Sequence, residues 1–124
     1  MEFINLKGLY PVYVKKIDGG NYSVDSIIDI LKNNIKEHPF AEFITVFDHY
    51  ALTSRIDGHV LSEDILGAKD LIFCFGKELP VPEMLSIRPR SIGIAKTRDG
   101  FTISFMQAPN EKATQSMMNW VKAL

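Results

Sequence analysis

Phe43-Ile44-Thr45-Val46-Phe47-Asp48-His49-Tyr50 is the stretch whose reading decides the fold. It is apolar at both parities as far as Phe47 and then stops at an acid and an imidazole. A run that is apolar on both parities reads as a strand covered on both faces, so residues 43–48 are expected in the middle of a sheet. A second run, Leu71-Ile72-Phe73-Cys74-Phe75-Gly76-Lys77, has the same character and stops at a glycine. It is expected beside the first.

Outward from these two runs, the remaining segments read as support. Residues 1–9 show no clear period and suit the surface or an edge pairing. Val12, Tyr13 and Val14 favour a strand over Tyr10–Ile17. After the turn Asp18-Gly19-Gly20-Asn21, Ser23 is placed to cap a helix. Val24, Ile27, Ile28, Leu31 and Ile35 then recur at helical spacing, and Pro39 should stop that helix. Tyr50–Ile56 suits a short helix, and Ser62 could cap one or two turns through Leu66. Pro82 fits the first turn of another short helix through Leu85. Ser91–Thr97 and Phe101–Met106 alternate cleanly around Asp99-Gly100, which predicts a hairpin with Ile94 opposite Phe105. Asn110 can cap a last helix whose apolar stripe is Ala113, Met117, Trp120, Val121 and Leu124. These elements predict a single α+β domain over residues 1–124. Its architecture would be one mixed or antiparallel sheet of about five strands, with two main helices packed on one face.

The totals bound the chemistry. A net charge of −1 over 124 residues gives no field for attracting nucleic acid or an anionic membrane. No apolar run reaches the roughly 18 residues that a bilayer requires, and no signal peptide is expected. The lone cysteine, Cys74, has no partner for an internal disulfide, which fits the cytoplasm. Its place between Phe73 and Phe75 suggests a small buried hydrophobe. His38, His49 and His59 lack the close spacing of metal ligands, so no metal is expected, and no cofactor fingerprint is present.

The order of landmarks resembles a known family. The helix stripe is followed by Phe47-Asp48-His49-Tyr50-Ala51, then by Leu71-Ile72-Phe73 with Phe75-Gly76, a helix with Pro82 and Met84, a hairpin, and Ala108-Pro109. Over roughly Tyr22 to Asn110 this is similar to the bacterial domain-of-unknown-function family numbered 302, a small α/β domain with an Asp-His motif. The chain departs from that family at Lys77-Glu78, where Asn-Pro is typical, and at Arg88-Pro89-Arg90, where Leu-Pro leads into the hairpin. The resemblance implies a site at Asp48 and His49 without naming a reaction.

Two readings of that site follow. If the chain turns after Phe47, Asp48 and His49 meet at one rim, and the carboxylate could fix the imidazole's tautomer. Alternatively, Asp48 caps the next helix and His49 is structural. Lys77, Arg88 and Arg90 flank the short helix at Pro82. If they fold back to the same rim, they form a pocket for a carboxylate or phosphate. Ligand-binding candidates are therefore Asp48, His49, Lys77, Arg88 and Arg90. The expected function is a small-ligand-binding or sensing module, with a small anionic ligand as its partner. The alternative is an enzyme with His49 as general base, Asp48 orienting it and Arg88 or Arg90 stabilising negative charge. Met118 and Phe40 fall outside the obvious stripes and suggest a homodimer patch.

Overall fold

Ile27, Ile28, Leu31 and Ile35 form the buried stripe of α1 (Val24–Glu37) in the computed structural model, which describes all residues from Met1 to Leu124. Ser23 and Ser26 start that helix by exchanging side-chain and backbone hydrogen bonds in a capping box, at 3.0 and 2.8 Å. Helix α1 ends at Glu37, two residues before Pro39. Asn110 starts α3 (Glu111–Lys122) by accepting from the backbone of Lys112 and Ala113.

Both long helices pack on one face of an antiparallel sheet. Its strands are β1 (Glu2–Leu6), β2 (Tyr10–Asp18), β3 (Ala41–Asp48), β4 (Ile65–Phe75), β5 (Arg90–Thr97) and β6 (Gly100–Met106). Their spatial order is β1-β2-β6-β5-β4-β3, with every neighbouring pair antiparallel. A short helix α2 (His49–Ser54) follows β3, and a 3-10 helix (Pro82–Ile87) precedes β5. The core between the layers joins Ile27, Leu31 and Ile35 of α1 to Leu71, Phe73, Ile92, Ile94 and Ile103 of the sheet, and to Met117 and Val121 of α3. Burying each such side chain contributes about 1.5–3 kcal/mol.

Several expectations are corrected. The sheet has six strands, because residues 2–6 pair with β2. The turn that joins them holds Lys7 and Gly8 at φ 54° and 70°. The proposed turns from Ser62 to Leu66 do not form a helix; Ser62 accepts from Asp64 in a turn, and β4 begins at Ile65. Strand β3 lies at the sheet's edge. Ala41, Phe43 and Val46 meet the core, the parity changing at a bulge between Phe43 and Thr45, while Phe47 and Ile44 are 38% and 51% exposed. The hairpin pairs Ile94 with Ile103, because Gly100 belongs to β6 and the turn is Arg98-Asp99. Gly100 sits at φ 150°, and a Cβ there would stand 2.0 Å from the Ile17 carbonyl oxygen. Only glycine lets β2 and β6 approach at that point.

Neither long helix covers the sheet's second face, and α2 reaches it only at the β3–β4 corner. Glu2, Val14, Ser104, Gly93, Asp70 and Phe47 form one cross-strand row over that face, spanning all six strands. The parity follows from Leu71, Ile92 and Ile103, which point the other way into the core.

Candidate functional site

Because β3 and β4 run antiparallel, the end of one meets the start of the other. Asp48 pairs with Lys69, and Ala41 pairs with Phe75. The Asp48-His49 corner and the Gly76-Lys77 loop therefore lie at opposite ends of β3, roughly 23 Å apart at the rise of an extended strand.

At the Asp48 end, the polar groups are occupied locally. Asp48 accepts from the Ala51 backbone at 2.9 Å and so caps α2. His49 Nδ1 lies 3.0 Å from Thr53 Oγ1, one turn along the same helix, and its ring leans on Phe47 with centroids 5.4 Å apart. Both residues are exposed, and no hydrogen bond joins them. Lys69 donates to Asp25 of α1 at 2.9 Å. That bond first, then the charges of Asp25 and Asp48, raises the Lys69 pKa against the opposing effect of burial. The carboxylate that feels His49 is Asp70, on the second face of β4. Burial raises its pKa above the usual value, and the imidazole pulls the other way. Gly93 makes room for it, since a Cβ there would stand 3.2 Å from Asp70 Oδ1.

At the other end, a cavity of about 830 Å³ opens between the end of β4, the 3-10 helix and the start of α3. Lys77, Arg88 and Arg90 all line it, together with His38, Phe40 and Phe75. Arg90 shares the parity of Ile92 and Ile94, so its side chain enters the layer between sheet and helices. One guanidinium nitrogen donates to the Met106 carbonyl, while Nε is buried without a partner. Burial lowers the pKa of this group. Arg88 donates to the Glu78 carbonyl at 2.6 Å, and the Lys77 ammonium lies 4.6 Å from the Phe40 ring centre. Lys112, Glu78 and Glu111 complete the charged lining, so four cations face two carboxylates. None of these is ion-paired, the one salt bridge in the structure being Lys69–Asp25.

His38 anchors this end. Its Nδ1 accepts from the Phe40 backbone at 3.1 Å, so that nitrogen carries no proton in this arrangement. Its Nε2 lies 3.4 Å from the Ser116 hydroxyl of α3. The Phe40 carbonyl in turn accepts from Gly76 at 2.7 Å, which clasps the start of β3 to the end of β4. The two faces of the candidate set thus separate: Lys77, Arg88 and Arg90 come together, while Asp48 and His49 stand elsewhere. Sequence reasoning passed over His38 as a ring partner of this cavity. The signal was its position immediately before β3, which an antiparallel pairing carries to Gly76. Phe40 lines the cavity, and Met118 packs against the core. Cys74 is half-buried on the second face.

No trio of His, Cys, Asp or Glu side chains could hold a metal ion, and no helix is long and apolar enough to cross a membrane. A family model described as a family of unknown function, DUF6858, matches residues 1–124. The chain belongs to that family. Its description assigns no activity, and no curated protein matches the chain. Function must therefore be argued from the site.

Proposed function

We propose that the protein is a binding module for a small anionic ligand, held in the cavity walled by Lys77, Arg88 and Arg90. One observation carries this reading: a half-buried Arg90 lines a cavity with an unpartnered Nε and no carboxylate beside it. Burying a guanidinium costs free energy unless an anion or a full set of acceptors offsets it. A carboxylate or phosphate in the cavity would offset that cost through the charge of the guanidinium and a charge-assisted hydrogen bond to it.

The start of α3 is a weaker part of the site, because Asn110 already takes the backbone donors of Lys112 and Ala113. The enzyme alternative through His49 has less support. Its carboxylate neighbour in sequence is spent on capping α2, and the arginines that would stabilise charge lie at the far end of β3. A cytoplasmic setting and a homodimer belong to the same proposal. The lone thiol supports the first, and exposed Phe47 and Met106 on the second sheet face support the second.

The test is calorimetric titration of the purified protein with acetate and with inorganic phosphate at low ionic strength, repeated on Arg90→Leu. Saturable binding by the wild type that falls roughly ten- to hundredfold in the variant supports the site. Equal binding by both proteins, or none by the wild type, overturns it.

A further inference from the structure

Resting on that reading, we infer that the ligand carries its anionic group on a flat aromatic ring, with the anion at Arg90 and the ring against His38, Phe40 and Phe75. Size comes first. A cavity of about 830 Å³ is far larger than acetate or phosphate needs, and it falls within the range of pockets that enclose drug-sized molecules.

The second observation is the character of the wall. His38 meets Phe40, Phe75 and Trp120 edge to face, with centroids 5.7, 5.2 and 5.9 Å away. Phe75 in turn stacks on Trp120 at 5.8 Å and 20°. Four rings therefore form one block, and three of them face the cavity. Phe40 stays 45% exposed there although its backbone is held at both N–H and carbonyl. A ring that is half open to solvent, with His38 beside it and Lys77 on one side, offers its remaining surface to a second ring, because offset and edge contacts between rings add to what area burial gives. Met84 and Ile87 add apolar lining to the same cavity. An inorganic anion would bind the cations and leave all this apolar surface wet.

Charge admits an anion without choosing between a carboxylate and a phosphate. Four cations and two carboxylates line the space, and Arg88 and Arg90 each already donate to a backbone carbonyl. The lining thus carries two more cations than carboxylates, which attracts either anion, and the aromatic wall is what favours a ring-bearing one.

The experiment titrates the full chain with benzoate, cyclohexanecarboxylate and acetate, following affinity by calorimetry and the Trp120 indole N–H by NMR. The chain has one tryptophan, so one peak reports on the block. Benzoate is expected to bind about tenfold more tightly than either other acid and to move that peak. Phe40→Leu should remove the preference for benzoate over the other two acids, and Arg90→Leu should weaken all three. If Phe40→Leu is poorly folded, Met84→Ala gives a second reading, losing more affinity for benzoate and cyclohexanecarboxylate than for acetate. Equal affinity for the three acids, each lost in Arg90→Leu, overturns the aromatic ligand and leaves the anion site standing. Benzoate binding that ignores both Phe40→Leu and Arg90→Leu overturns the placement. Failure of every acid to bind removes the anion site as well.

Discussion

The two ends of β3 make opposite use of their polar residues. At the Asp48 end each group has an employer: a helix cap, a threonine hydroxyl, a cross-strand lysine. At the Ala41 end four cations border a cavity with no acid paired to any of them. A conspicuous sequence motif thus sits where the chain satisfies itself, and scattered basic residues gather where it does not. Unsatisfied groups, rather than adjacent polar letters, mark the place where a fold has left room for something else.

That contrast can be attacked at both ends. The largest effect is expected at Phe75, where the cavity wall and the core are the same ring. Phe75→Ala should cost about 2–3 kcal/mol in chemical denaturation, below the full range for a core phenylalanine because the ring is half-buried. It should also displace the Trp120 fluorescence maximum. A loss below about 0.5 kcal/mol would mean that the block does not hold the cavity in shape.

Next, Asp48→Ala should cost about 1 kcal/mol by removing the α2 cap. His49→Gln should change stability by under about 0.5 kcal/mol. Neither should alter anion titrations. A weakened titration in either variant would join the two ends that the geometry separates.

The smallest effect belongs to Asp70. Its folded pKa is raised by burial, so the folded state holds its proton more tightly than the unfolded chain does. The stability this confers is complete below the ordinary value of 3.8 and is lost as pH rises through the raised value. Asp70→Asn should therefore gain on the wild type as pH increases across that window, by a few tenths of a kcal/mol given the partial exposure. A constant difference between the two proteins from pH 3 to 7, set by melting curves, would remove the linkage.

Much of the architecture was legible in the residues. Ile27, Leu31 and Ile35 announced α1, Pro39 its end, and Asn110 the start of α3. The alternation through Ile92, Ile94, Ile103 and Phe105 announced the hairpin. What escaped was the direction of pairing between β3 and β4. Sixteen residues, 49–64, join them, long enough for a crossover to a parallel partner and no obstacle to an antiparallel one. A parallel pair would have brought Lys77 to His49; the antiparallel pair brings it to His38 and Phe40. Nor could apolarity on both parities separate a central strand from an edge, since Phe47 is apolar yet 38% exposed and rests on His49. Strand β1 was faint for a related reason: Glu2–Leu6 buries little and is held by β2 alone.

The edge position of β3 leaves Phe43-Ile44-Thr45-Val46-Phe47 bordering solvent, a composition suited to zipping against copies of itself. The ladder slips between Phe43 and Thr45, leaving Ile44 out of step. That kink denies an incoming strand an unbroken row of hydrogen-bonding partners, and so guards the sheet's most sticky margin against growth into fibrils.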